Sequence, residues 1–199
     1  MANVFADLLQ KGASQGILPS KAVDARNWFR KEASNINSTS TSMVTRNVDT
    51  VRTTLELGNM YFFRYDPKTK KELPYYDTFP LIFPVATPNS PPDGFYGLNF
   101  HYLPYVLRAR FMDALYTVLN DKNLTDKSKI QLTYRVVKGL SGTPYYKTCL
   151  KYYLNSHVKS NFYYISPNKW DIALFLPVES FKKASKATVF TESIRKLNG

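Results

Sequence analysis

The side chains able to make or break bonds are few and scattered. The 199 residues hold two histidines, His101 and His157, and one cysteine, Cys149. A closed zinc site takes four Cys, His or carboxylate ligands at short spacing, and no pair of these three residues falls within one helical turn. His101 ends an aromatic, strand-like run and is expected to bond backbone. Cys149 sits in TCLKYY, an apolar helix-like pattern, and is expected to be a small core residue rather than a reactive thiolate. No G-x-S-x-G, G-x-x-x-x-G-K or G-x-G-x-x-G is present, so nucleophile-elbow and phosphate-loop chemistry lack their signatures. Asp66 and Asp77 bracket one turn and could share acid–base work. D-P-K and Y-Y-D-T read more simply as turns in which Asp bonds the backbone two residues on. The other carboxylates are not clustered around a strand as a metal-dependent nuclease requires. The expectation is a non-enzyme with no cofactor and no metal.

Charge is the stronger signal. Lysine and arginine outnumber aspartate and glutamate 27 to 15, a net +12. Residues 1–57 carry +2, residues 58–120 carry +1 and residues 121–199 carry +9. Such a one-sided field attracts nucleic acid, acidic protein or an anionic surface; its bland counterpart is a solvated basic face. Two clusters are candidate phosphate or partner contacts. One is the turn holding Lys68, Lys70 and Lys71; the other holds Lys182, Lys183, Lys186, Arg195 and Lys196. No helix carries the dense Lys/Arg face of a groove-reading element, so sequence-specific readout is unsupported.

These residues need a scaffold. Residues 2–11 place Val4, Phe5, Leu8 and Leu9 on one helical face, and residues 20–34 read as a second helix with Val23, Trp28 and Phe29. Both are short and would be marginal alone. They suggest an arm that docks through Phe5, Leu8, Leu9, Trp28 and Phe29. Residues 35–54 are rich in Ser, Thr and Asn and read as a linker. The expected division is therefore an arm and linker over 1–57 and a main domain over 58–199.

In the main domain, residues 58–66, 78–87 and 95–102 read as strands separated by Pro/Gly turns. Pro80 and Pro84 predict an edge strand or one that bends. Alternation over 95–102 predicts Tyr96, Leu98, Phe100 and Tyr102 on the buried face. Pro104 opens a helix carrying Val106 or Leu107, Phe111, Leu115 and Val118 or Leu119 at helical spacing. Arg108 and Asp113 fall outside that stripe. Thr125 and Asp126 can cap the next helix, although Leu132, Tyr134 and Val136 also fit a strand, and Pro144 can start another running through 148–158. Residues 158–165 look like a strand, and Pro177 is expected to open a final helix pair. The predicted class is α+β: a small Pro-rich β-barrel or curled antiparallel sheet, a mainly helical C-terminal half and a helical N-terminal arm.

A lone cysteine rules out an internal disulfide framework. No run approaches 18 apolar residues, and no basic segment precedes the first apolar stretch. The load of 15 Tyr and 13 Phe fits half-buried contact surfaces or an aromatic-rich core.

Three blocks are distinctive as strings: LGNMYFFRYDPKTKKELPYYDTFPLIFPV, GFYGLNFHYLPYVLRARFMDALY, and CLKYYLNSHVKSNFYYISPNKWDIALFLPVESFKKAS. Over residues 56–187 the chain resembles structural proteins of large contractile-tailed bacteriophages. That resemblance implies a virion component assembled in the host cytoplasm, in multiple copies, against tail, baseplate, hub or neck subunits. It implies no cofactor, catalytic residue or membrane. On this reading the aromatics are buried between subunits and basic residues align the partners. The alternative is a DNA-binding head-completion or DNA-end-protecting protein. A nuclease and a membrane-surface module are more distant rivals.

Overall fold

A computed structural model describes residues 51–86, 93–119, 123, 125–167, 170–175 and 178–198. The expected arm, with Phe5, Leu8, Leu9, Trp28 and Phe29, lies outside the described residues, as does most of the turn at 88–94. The strands are β1 Val51–Arg52, β2 Met60–Phe62, β3 Tyr76–Asp77, β4 Leu81–Ala86, β5 Gly94–Asn99, β6 Leu150–Leu154, β7 Phe162–Ile165 and β8 Phe181–Lys182. The helices are α1 Tyr105–Leu119, α2 Asp126–Ser141, α3 Pro144–Lys147, α4 Trp170–Phe175 and α5 Lys186–Asn198. Single 3-10 turns occupy Phe100–Tyr102 and Asn155–His157.

Six strands form one antiparallel sheet in the order β1-β7-β2-β4-β5-β6, and β3 pairs with β8 in a separate ribbon. Ring contacts reveal how far the sheet curls. Phe95 on β5 and Phe162 on β7 are three strand steps apart, about 14 Å in a flat sheet, yet their ring centroids lie 5.9 Å apart. Phe63, just past β2, and Tyr153 on β6 span the same number of steps with centroids 5.2 Å apart. The sheet therefore wraps round a plug of Tyr61, Phe63, Tyr65, Ile82, Phe95, Tyr153 and Phe162. It does not close, because β1 and β6 do not pair. Of the expected barrel or curled sheet, the curled sheet is what forms.

Successive side chains of a strand point to opposite faces, so the neighbours of that plug emerge on the outside. There Met60, Phe62, Leu81, Phe83 and Leu98 pack against α1 and α4 through Leu107, Phe111, Leu115 and Trp170. Phe83 meets the edge of Trp170 at 4.7 Å, and the indole Nε1 donates to the Ile165 carbonyl at 2.7 Å. With both faces buried, β2 and β4 read as continuous apolar runs, and much of the aromatic content is internal.

Several expectations need correction. β4 lies between β2 and β5 rather than at an edge. Its ladder to β2 covers only Leu81 and Ile82, so Pro84 sits past it and leaves no donor missing there; the register to β5 shifts between Pro84 and Ala86, a local bend. Residues 95–102 do not bury one face alone: Phe95, Gly97, Asn99 and His101 are buried too, while Tyr96 is 38 % exposed. The C-terminal half holds all the described helices, as expected, but β6, β7 and β8 also fall in it. The predicted helix over 148–158 gives way to β6 because Tyr153 completes the aromatic plug beside Phe95, centroids 5.4 Å apart. The first helix of the expected C-terminal pair is replaced by β8. Elsewhere the signals hold. Thr125 caps α2 by accepting from the Ser128 amide, Pro144 opens α3, and α1 follows Pro104.

Candidate nucleic-acid interface

The interface is built on two buried polar hubs that sequence reading missed. The first is Asp77. One carboxylate oxygen accepts from the Phe79 and Ser180 amides at 3.0 and 3.2 Å; the other accepts from Asn99 Nδ2 at 3.1 Å and from His101 Nδ1 at 2.7 Å. Burial pushes this carboxyl upward, but the neighbouring His101 and these hydrogen bonds outweigh it and hold the pKa below the usual value. The expected Asp turn is therefore present in the Phe79 bond, but His101 binds a carboxylate rather than backbone. His101 Nε2 is buried with no hydrogen-bond partner among the described residues. The hub ties the β3–β8 ribbon to the end of β5.

The second hub is Arg108, fully buried in α1. It donates to the carbonyls of Leu103 (2.8 Å), Leu174 (2.7 Å) and His101 (3.3 Å) and to Glu179 Oε1 (2.7 Å). Its guanidinium also lies 4.7 Å from the Tyr105 ring centroid. Burial raises Glu179, but the Arg108 charge, His101, Lys186 and the Arg108 hydrogen bond together outweigh it and leave the carboxyl below its ordinary value. Arg108 thus fixes α4 and the segment leading to β8 against α1.

These hubs bring together basic residues that are distant in sequence. Lys183 follows β8 with a φ of 69°, a left-handed conformation uncommon for a residue with a side chain. Its ammonium donates to the carbonyls of Lys71 and Leu73 at 2.8 and 3.0 Å. The turn 67–73 is thereby stapled to β8, and the two clusters seen in sequence become one surface. The next link is aromatic. Tyr75 packs against Tyr102 (6.0 Å), Tyr102 against Phe181 (5.2 Å), and the Tyr75 hydroxyl donates to Glu192 on α5 at 2.9 Å. Burial and that carboxylate push Tyr75 up to about 12. The last turn of α5, with Arg195 and Lys196, joins the same region.

Within it the lysines differ. Lys68, Lys71, Lys182, Arg195 and Lys196 are exposed and form no ion pair among the described residues. Lys70 is paired with Asp66 at 2.9 Å, which raises the lysine and lowers the carboxyl. Lys186 donates to the Tyr105 hydroxyl at 3.1 Å and lies 3.6 Å from Glu179. Lys183 and Lys186 are therefore parts of the scaffold, and the open cations are the other five.

Among the described residues no group of His, Cys, Asp and Glu could hold a metal. Cys149 is buried with its thiol pushed up to about 12 by burial, as a core residue rather than a nucleophile. No described helix is long and apolar enough to cross a membrane.

Buried polar hubs on an α+β scaffold thus hold basic residues from distant parts of the chain in one region. The chain belongs to the family of the Phage T4 terminal DNA protecting protein, which matches residues 5–196. It is thus a bacteriophage protein. No curated protein and no solved structure matches it.

Proposed function

We propose that this protein binds the ends of a phage genome duplex and shields them by occupancy, without cutting or joining DNA. The observation that carries the reading is the convergence of Lys68, Lys71, Lys182, Arg195 and Lys196 on one surface, in a chain matched from residue 5 to 196 by a DNA-end-protecting family. Lysine and arginine that neutralise phosphates release counterions, and this supplies affinity without sequence readout. That agrees with the lack of a groove-reading helix.

Of the locations implied by the phage resemblance, the neck and head-completion region lies beside the DNA end, and the proposal places the protein there. The family match gives no support to the tail baseplate or hub. Contacts with neighbouring virion subunits belong to the same proposal, with the arm through Phe5, Leu8, Leu9, Trp28 and Phe29 as the docking element.

The test is competition between linear and covalently closed duplex of equal length. Linear DNA should compete better, and Lys68→Ala, Lys71→Ala and Lys182→Ala combined should weaken binding to both. Equal competition by the two forms would remove the end-binding reading.

A further inference from the structure

One recessed cation in the region has no acidic counterpart among the described residues. Lys151 lies on the edge strand β6, opposite Gly97 of β5. Its ammonium sits 4.1 Å from the centroid of the Tyr102 ring. Tyr102 is itself buried and fixed, its carbonyl accepting from Ser193 Oγ on α5 at 2.7 Å. No carboxylate pairs with Lys151 among the described residues. Lys196 follows Ser193 by three residues, so it lies on the same helical face as the residue that touches Tyr102. Burial, the Cys149 thiol and the Lys196 charge act on Lys151, and burial with Lys196 brings its pKa down to about 8. A recessed, unneutralised ammonium over the Tyr102 ring, with the like charge of Lys196 acting on it, is an unfavourable arrangement that a bound anion relieves.

We propose that Lys151 and Lys196 form a phosphate site at the junction of β6, the Tyr102 turn and α5, and that its ligand is the terminal phosphomonoester of a DNA strand. The site rests on the end-binding function proposed above and names the group recognised there. A recessed amine is reached by a group that projects from the end of a strand. An internal phosphodiester is flanked by sugars on both sides and meets the more exposed Lys68, Lys71 and Lys182 instead. Ammonium groups hold phosphate through short charge-assisted hydrogen bonds, and a dianion favours the fully protonated form of Lys151.

The experiment uses the full chain and duplexes closed by a hairpin at one end. The open end carries either a 5′-phosphate or a 5′-hydroxyl, and binding is read by fluorescence anisotropy. The wild type should prefer the phosphorylated end by about tenfold, the scale of one charge-assisted hydrogen bond. Lys151→Met keeps the apolar stem over Tyr102 and should abolish that preference while leaving open ends favoured over fully closed DNA. Lys196→Met, an exposed position, should reduce it as well and carries the test if Lys151→Met fails to fold. Equal binding of both ends by the wild type, or an unchanged preference in the folded variants, overturns the phosphate site alone. Loss of any preference for open over closed duplex in the wild type overturns the end-binding function and this site with it.

Discussion

At the scale of single residues, the buried charges decide most of the behaviour. Asp77 accepts four hydrogen bonds from three chain segments. Asp77→Ala leaves His101, Asn99 and two amides without their acceptor, and it should cost about 3–5 kcal/mol in urea unfolding. Because the folded pKa of Asp77 lies below its unfolded value, its contribution is present above the unfolded value near 3.8. It is lost as pH falls through the lower folded value. Asp77→Asn should flatten that part of the acid-unfolding curve. Lys151 has the opposite sign. A lysine brought down from 10.5 to about 8 is charged at neutral pH in an environment that disfavours charge. Lys151→Met should therefore stabilise the free protein at pH 7 by on the order of 1 kcal/mol in thermal melting. That advantage should shrink as pH rises from about 8 towards 10.5, because the folded wild type releases its proton first. Greater stability together with lost phosphate preference is the pattern of a functional rather than a structural residue.

At the scale of elements, packing overrode local pattern wherever an aromatic had two possible homes. LKYYL has helical spacing at Leu150 and Leu154, yet it forms β6 because Tyr153 belongs in the plug enclosed by the sheet. Periodicity alone cannot register a sheet that curls until rings three strands apart touch. The helix signals at Pro104, Thr125 and Pro144 were legible because caps and prolines act within one turn. The acid–base character of the chain was only half legible. Asp77 is a turn residue by its neighbours, and its pairing with His101 spans 24 positions that no local rule connects. Arg108 looked like a residue off the apolar stripe of α1; its partners are carbonyls and Glu179 brought in by α4 and the segment after it. The β5–β6 ladder offers its own check. A Cβ at Gly94 would meet the Tyr153 carbonyl and, at 2.8 Å, the Tyr152 ring. Gly94→Ala should part these strands, accelerating hydrogen exchange of the β6 amides and costing more than about 1 kcal/mol.

At the scale of the whole molecule, two basic clusters more than 100 residues apart become one surface through Lys183 and the Tyr75–Tyr102–Phe181 contacts. The lysines were legible in the sequence as cations but not by role. Lys183 and Lys186 are held in the scaffold, while Lys151, silent in the sequence, lies recessed between the elements. Replacing Lys68, Lys71 and Lys182 by alanine should lower the slope of log affinity against log salt by about one unit for each phosphate no longer neutralised. The measurement closest to the central claim is digestion of linear duplexes of several lengths by a processive exonuclease, with the protein titrated in. Shielding by occupancy of ends predicts full protection at a fixed number of protein molecules per DNA end, whatever the duplex length. Protection that scales with length, or digestion that proceeds unhindered when the protein is saturating, would contradict it.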